Sequence, residues 1–169
     1  MVLFKTALFT VLGPGTVTIL VPYYLLSSRT HVPPMNLGIL RYFGVLPIIG
    51  GALVYLRCAL DFAIKGRGTP APVDPPKELV VRGLYRYVRN PMYIGVALVV
   101  LGEAVFFRAR ILFEYAAIAF IFFHLFVLIY EEPILRRKFR ESYDRYCRSV
   151  PRWVPRMRGY INVQDHIGR

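Results

Sequence analysis

The sequence is poor in the residues that build disulfides and metal sites. Its 169 residues include two cysteines, three histidines and one tryptophan. Cys58 falls within an apolar run and Cys147 within a basic segment, so they predict no disulfide, and their separation is not that of metal ligands. There is no tract of biased composition and no internal repeat, which argues against a repeat architecture. We therefore expect no metal site.

Acidic residues are also scarce, with 10 Asp and Glu against 22 Lys and Arg, for a net charge of +12. A charge of this size would suit a nucleic-acid partner. Basic segments beside anionic membrane lipid explain the same charge without a second partner. We therefore predict a lipid bilayer as the surroundings and no nucleic-acid partner.

Apolar residues are abundant, at 56% of the chain, which excludes a disordered polymer. They are concentrated in four runs, residues 2–26, 37–64, 91–107 and 111–130. Because about 20 helical residues cross roughly 30 Å of hydrocarbon, the runs predict an all-α polytopic membrane helix bundle of about four transmembrane helices. The third run is the shortest. The first lacks a signal-peptide cleavage site and is interpreted as a retained helix.

Basic residues are distributed unevenly among the predicted loops. With both termini on one side of the membrane, seventeen of the 22 Lys and Arg residues fall on that side. The positive-inside rule then predicts cytoplasmic N- and C-termini. We expect a single membrane domain over residues 1–169, with two helices in 1–64, a cytoplasmic loop in 65–90, a helical pair in 91–130 and a cytoplasmic segment in 131–169. That last segment includes an amphipathic helix over 134–148.

Local composition predicts two departures from straight, separate helices. Gly13, Pro14 and Gly15 predict a kink in the first helix. Gly50 and Gly51 predict a position in the second helix where another helix approaches closely.

Two polar clusters are predicted at the cytoplasmic helix ends. Asn90 is the expected N-cap of the third helix, its side chain accepting a backbone hydrogen bond, and Pro91 suits the first turn. Glu131 and Glu132 end the fourth helix, where they repel each other and oppose the helix dipole. A solvated helix end explains one glutamate, but a costly pair favours coordination of a ligand. We expect both clusters to flank one small zwitterion.

The residues in these clusters resemble two linked signatures. Residues 83–95 read Gly-Leu-Tyr-Arg-Tyr-Val-Arg-Asn-Pro-Met-Tyr-Ile-Gly, similar to G-x-Y-x-x-x-R-[HN]-P-x-Y-x-G. The second signature starts at Glu131 and Glu132 and continues through Leu135, Phe139, Tyr143, Tyr146, Val150 and Pro151. In order and spacing they resemble the isoprenylcysteine carboxyl methyltransferases and the phospholipid (phosphatidylethanolamine) N-methyltransferases. The resemblance spans residues 77–155.

The resemblance implies S-adenosylmethionine (SAM) as methyl donor, bound at the cytoplasmic ends of the last two helices. It implies a lipid-like or hydrophobic acceptor, either a phospholipid amine or an isoprenylcysteine-type carboxylate or thiol. In the isoprenylcysteine enzymes an arginine one turn before the glutamates meets the substrate carboxylate, and Val127 stands there instead. The implied cofactor-binding residues are Lys77, Glu78, Leu79, Val80, Tyr85, Asn90, Pro91, Met92, Tyr93, Glu131 and Glu132.

Catalytic and substrate roles are less constrained by the pattern. Glu132 and Tyr93 are the candidates for a catalytic role because they lie near the predicted donor. Arg57 is a candidate substrate residue, although an ion pair with Asp61 one turn later is favoured. His124 lies two turns before the glutamates and is equally suited to a lipid head group or a hydrogen bond to a neighbouring helix.

Two other classes compete with methyl transfer. Sterol-type reductases have a related membrane fold and use NADPH, but this chain is short and has no further basic pocket for a 2′-phosphate. A non-enzymatic membrane bundle would explain the helices and leave the two linked signatures as coincidence. The pattern does not tell whether nitrogen, oxygen or sulfur is methylated, and it does not indicate an oligomeric state.

Overall fold

The computed structural model describes residues 8–28, 35–65, 79 and 81–160, and every regular element in them is helical. The predicted all-α class is therefore confirmed. Short 3-10 turns at Gly38–Gly44 and Gly83–Arg86 precede the second and third helices, and a π segment at Val127–Glu131 joins the last two. The helices are α1 (Leu8–Ser27), α2 (Val45–Lys65), α3 (Pro91–Phe106), α4 (Arg110–Phe126) and α5 (Glu132–Ser149).

Three stretches of the described chain are long and apolar enough to cross a membrane by length and composition, namely Leu8–Ser27, Gly38–Phe62 and Arg110–Ser149. The shorter apolar helix α3 has 16 residues and spans roughly 24 Å at 1.5 Å per residue. The architecture is a membrane helix bundle, as predicted, with α3 as its short member.

Helix α1 is irregular where the sequence predicts a kink. A turn at Gly13 and a π-helical stretch at Thr16–Leu20 interrupt its α-helical hydrogen bonding. Pro14 supplies the physical reason, since it has no backbone N–H to donate. The helix is held to its neighbours by polar contacts: the Thr10 and Tyr55 hydroxyls lie 2.8 Å apart, and the Tyr115 hydroxyl donates to the Val17 carbonyl over 3.0 Å.

Helix α2 and the last residue of the turn before it, Gly44, pack backbone to backbone against α3 through two glycine pairs, which we call the glycine seam. A Cβ added at Gly44 would lie 2.5 Å from the carbonyl oxygen of Gly102, and one added at Gly95 would lie 2.8 Å from that of Gly51. Small residues at both levels let the backbones approach this closely. The predicted approach at Gly51 is confirmed, whereas Gly50 meets nothing within 4 Å.

Helix α4 continues through the π segment into α5 without an intervening loop. The π segment lies just before Pro133, which cannot donate a hydrogen bond to the preceding turn. Within α5, Arg140 has a non-helical backbone (φ 44°, ψ −126°), so a kink there divides α5 into two helical parts. The predicted amphipathic helix therefore follows directly on α4 and the π segment, and Glu131 and Glu132 lie at the junction, where the π segment ends and α5 begins.

Residues 150–160, which we call the C-terminal strap, run beside the segment that leads into α3. The Arg89 amide donates to the Pro151 carbonyl over 2.9 Å, and the Arg156 amide donates to the Tyr87 carbonyl over 3.0 Å. The Tyr160 amide donates to the Arg86 carbonyl over 2.9 Å. These bonds fix the strap to the chain on the N-terminal side of α3.

Candidate active site

A cavity of about 270 Å³ lies among α1, α2, α3 and α4 and reaches the turn before α3. Most of its wall is apolar or aromatic, while a carboxylate, a guanidinium, an amide and three phenols supply its polar groups. This combination of an apolar body with a few convergent polar groups is typical of a small-molecule site. The lining residues are Phe9, Gly13, Pro14, Val17, Tyr55, Phe62, Tyr85, Arg89, Asn90, Met92, Tyr93, Val96, Phe122, Phe123 and Glu131.

The two predicted polar clusters meet at this cavity. The Tyr93 hydroxyl, in the first turn of α3, donates to Oε2 of Glu131 over 3.0 Å. On the other side of the glutamate pair, the Arg89 guanidinium lies 3.0 Å from Oε1 of Glu132. The predicted convergence of the Asn-Pro turn with the glutamate pair is therefore confirmed for the described residues.

The two glutamates have different surroundings. Glu132 is 6% exposed and accepts hydrogen bonds from two arginines, Arg89 and Arg152. The Arg152 contacts are bidentate, with Nε 2.7 Å from Oε1 and an Nη nitrogen 3.1 Å from Oε2. Hydrogen bonding to Glu132 raises the pKa of the Arg152 guanidinium, which stays charged. Glu131 instead lines the cavity.

Asn90 occupies the N-cap position of α3, but its side chain makes no capping hydrogen bond, so that part of the prediction is wrong. The amide Nδ2 donates to the Arg152 carbonyl over 3.3 Å. The side chain of Asn90 is therefore bonded to the strap through its amide nitrogen, and its oxygen does not cap the helix. Since Asn90 is 7% exposed and lines the cavity, it links the strap to the cavity wall.

Tyr85 is held rigidly at the edge of the cavity. Its carbonyl accepts a hydrogen bond from the Tyr146 hydroxyl over 2.7 Å, and its ring packs edge-on against Phe62. Burial raises the pKa of the Tyr85 phenol well above its usual value, with further contributions from Cys58 and Glu131 nearby. Tyr85 therefore presents a protonated hydroxyl.

Of the predicted cofactor-binding residues, five line the cavity: Tyr85, Asn90, Met92, Tyr93 and Glu131. Pro91 is the first residue of α3 and is buried. Leu79 packs against the core formed by Val81 and α5, away from the cavity wall. Lys77, Glu78 and Val80 lie outside the described residues.

The candidate substrate residues have protein partners. Arg57 lies 3.7 Å from Asp61, which confirms the predicted ion pair, and its side chain is 65% exposed. Nδ1 of His124 accepts a hydrogen bond from Nε1 of Trp153 over 2.9 Å. That partner belongs to the strap and not to a neighbouring helix.

Four residues of the site were missed by the sequence patterns. Arg89 is the arginine of the first signature and directly precedes Asn90, so the signature itself could have identified it as a site residue. Tyr55 lies in an apolar run and carries no signal. Arg152 and Trp153 belong to a basic segment whose fold back onto α3 no local pattern predicts, and there Trp153 packs against Tyr93 and Phe120.

The polar groups of the cavity suit a ligand that carries both charges. Nε of Arg89 is buried and has no hydrogen-bond partner within the described parts of the chain. A ligand carboxylate could satisfy this donor, because an unpaired buried donor is costly. The Glu131 carboxylate, whose contact is a neutral hydroxyl, can accept from an ammonium or from hydroxyl groups.

Searches of curated proteins and of solved structures returned no match to the chain. The sequence profile described as phospholipid methyltransferase matches residues 39–142, more than half of the chain. The match runs from the turn before α2 into α5 and includes both glutamates and the turn that opens α3. It confirms the predicted family and does not favour a reductase. The chain is therefore a membrane methyltransferase that belongs to the phospholipid methyltransferase family.

Proposed function

We propose that this protein transfers a methyl group from SAM to a lipid-like or otherwise hydrophobic acceptor in the cavity among α1, α2, α3 and α4. One observation carries the proposal: the carboxylate of Glu131 and the unpartnered Nε of Arg89 belong to two residues that line the same apolar cavity. Family membership supplies the methyl-transfer chemistry.

The polar wall is proposed to hold the amino-acid and ribose portions of SAM. Arg89 would donate to the carboxylate, which the N-terminus of α3 also favours. Glu131 would accept from the ammonium or from the ribose hydroxyls. Asn90, Tyr85 and Tyr93 complete this wall. When bound, SAM supplies an electrophilic methyl group on its sulfonium sulfur. After transfer of the methyl group, that sulfur is the thioether of S-adenosylhomocysteine.

The aromatic wall is proposed to align the reactants and exclude water. Tyr55, Phe62 and Phe123 lie on it, and aromatic faces attract a positive charge within about 6 Å. Holding two reactants in line replaces a bimolecular encounter and contributes much of the rate. Apolar walls also keep competing water from the methyl group.

Neither candidate for a catalytic role is free to take a proton from an acceptor. The Tyr93 hydroxyl is already donated to Glu131, so it holds that carboxylate in place. Glu132 is engaged by two guanidiniums. We assign no general base: an ammonium acceptor would release its proton to water before its nitrogen enters the cavity and attacks the methyl group, and these residues organise the site.

The acceptor is proposed to be a lipid amine in preference to a carboxylate. Phe9, Val17 and Phe122 give the α1 and α4 sides of the cavity an apolar surface suited to a lipid. Val127 is 1% exposed and apolar at the position where the isoprenylcysteine enzymes have their carboxylate-binding arginine. With both termini in the cytoplasm, the polar wall would open toward the cytoplasmic leaflet, as the basic residues predict.

Calorimetry of the purified protein in detergent tests the donor. We expect SAM and S-adenosylhomocysteine to bind in the micromolar range and NADPH not to bind. Binding of NADPH alone, or of none of the three, would contradict the proposal.

Vesicles test the acceptor. With methyl-labelled SAM, label should enter lipid in vesicles of phosphatidylethanolamine and not in vesicles of phosphatidylglycerol, which has no amine. Label confined to water-soluble products, or to an added isoprenylcysteine carboxylate, would contradict a lipid amine as acceptor.

A further inference from the structure

We propose that Glu132 is a positioning residue and not a ligand of the donor: through Arg152 it fastens the C-terminal strap over the site, and it fixes Arg89. The two adjacent glutamates would then have separate tasks, since Glu131 lines the cavity and would contact the donor. The inference rests on the proposed function only where it concerns donor binding.

Contacts made by Glu132 use both of its carboxylate oxygens. Oε1 accepts from an Nη nitrogen of Arg89 at 3.0 Å and from Nε of Arg152 at 2.7 Å, and Oε2 accepts from an Nη nitrogen of Arg152 at 3.1 Å. The side chain of Glu132 is 8% exposed and that of Arg89 is 12% exposed. The contact with Arg152, whose side chain is 27% exposed, is bidentate and therefore strong and geometrically specific. It leaves little capacity to accept from a ligand.

Glu131 points to a different surface of the same helix. Successive residues of a helix are separated by about 100° around its axis, since one turn takes 3.6 residues. Accordingly Glu131 lines the cavity and contacts Tyr93, while Glu132 lies outside the cavity lining, against the strap. The site therefore uses the charge of Glu131 in the cavity and the hydrogen bonds of Glu132 to Arg89 and Arg152.

The strap covers the residues that form the polar wall. Its Arg152 carbonyl accepts from the Asn90 amide, and its Pro151 carbonyl accepts from the Arg89 backbone. The ring of Trp153 packs against Tyr93 with centroids 6.4 Å apart. Three residues of the cavity wall thus contact the strap directly. The Glu132–Arg152 ion pair holds the start of the strap, and the Arg86 guanidinium donates to the Tyr160 carbonyl at its other end over 2.7 Å.

The direct effect of losing the Glu132–Arg152 pair should be a looser strap, which can be measured without any ligand or methyl transfer. Freeing Arg152 removes the charge-assisted contact nearest to the Asn90 bond, so the pairing of the strap with residues 86–89 opens more often. Backbone amides exchange with solvent through such local openings. The amides of Arg156 and Tyr160, bonded to Tyr87 and Arg86, report this opening.

Hydrogen–deuterium exchange of the full chain in detergent, without any ligand, tests the link. The variants are Glu132→Gln, Arg152→Met and Glu131→Gln, and the matched control is Glu141→Gln, whose side chain is 92% exposed on the same helix and lies 3.9 Å from Arg145. We expect about tenfold faster exchange of the strap amides in Glu132→Gln and Arg152→Met. Glu131→Gln and the control should match the parent chain.

Arg152→Met keeps the proposal testable if Glu132→Gln does not fold, because it leaves the buried Arg89–Glu132 pair intact. The Glu132→Gln/Arg152→Met double variant should exchange no faster than the faster single variant, since both lose the same link. Unchanged strap exchange in Arg152→Met, or additive effects in the double variant, would overturn the proposal.

Titration with S-adenosylhomocysteine separates positioning from contact with the donor. Arg152→Met should raise the Kd although Arg152 lies outside the cavity lining, and Glu132→Gln should raise it at least as much because it also weakens the contact that fixes Arg89. A loss of affinity in Glu132→Gln with a normal strap and normal binding in Arg152→Met would make Glu132 a donor ligand and overturn the inference. If no chain binds the compound, the proposed function fails, while the exchange result still decides the role of Glu132.

Discussion

The hydroxyl of Tyr93 donates to Oε2 of Glu131 over 3.0 Å, which joins the first turn of α3 to the π segment between α4 and α5. Both residues line the same cavity, although 38 positions separate them in the chain. The contact fixes the carboxylate that the described residues contribute to the cavity lining, so changes at either residue should affect binding of the donor.

Tyr93→Phe removes this hydrogen bond and keeps the aromatic ring. We expect donor affinity to fall about tenfold, because a hydrogen bond to a charged group contributes roughly 1.5–3 kcal/mol. Calorimetry with S-adenosylhomocysteine measures the change, and Tyr24→Phe, at a tyrosine that is 69% exposed, is the matched control. Equal affinities in both variants would remove Tyr93 from the site.

Glu131→Ala and Asn90→Ala should each abolish detectable donor binding while the helices stay folded. Glu131 supplies the carboxylate of the cavity, and Asn90 joins the cavity wall to the strap through the Arg152 carbonyl. Circular dichroism checks the helices and calorimetry checks binding. Unchanged affinity in both variants would mean that the donor site lies elsewhere.

Adjacent glycines in α2 give a matched test of the glycine seam. Gly51→Ala should destabilise the protein by about 1–3 kcal/mol, since its Cβ would have no room against α3. Gly50→Ala should be neutral or stabilising by up to about 1 kcal/mol, because it meets open space and alanine favours a helix. Thermal unfolding in detergent compares the two, and similar melting temperatures would contradict the packing.

The two candidate substrate residues, Arg57 and His124, have different partners, so substitutions at them should affect methyl transfer differently. Arg57→Met should change methyl transfer by less than about twofold, because an exposed i,i+4 ion pair contributes little. His124→Phe should reduce transfer further, since it leaves Nε1 of Trp153 without its acceptor and disturbs the strap. A large loss in Arg57→Met with wild-type affinity for the donor would instead support a substrate role for Arg57.

The part of the site that could be predicted from the sequence comes from contiguous segments. Tyr85, Asn90, Met92 and Tyr93 fall within nine residues, and a turn followed by a helix keeps such neighbours together. The apolar runs predicted the helices for the same reason, because hydrophobic length is a local property. Glu131 was found as half of a pair that would be costly at an ordinary helix end.

What the sequence could not reveal depends on the path of the chain in space. Arg152 is one of several arginines in its segment, and nothing local distinguishes it from Arg148 or Arg156. Its contact with Glu132 exists only because the strap returns to the start of α3. The contact that the Asn90 side chain makes in place of the expected cap was hidden for the same reason, since its partner, the Arg152 carbonyl, lies 62 residues away in the chain.

The glycine seam also determines where the enzyme can vary. Because no side chain separates their backbones at Gly51 and Gly95, α2 and α3 pack as one rigid unit. We therefore expect this side of the cavity not to widen for a larger substrate. Any extra room must come from the opposite side, where the interrupted helix α1 presents Pro14 and α4 presents Phe122. Efforts to retune which molecules are methylated should therefore begin by remodelling those two helices.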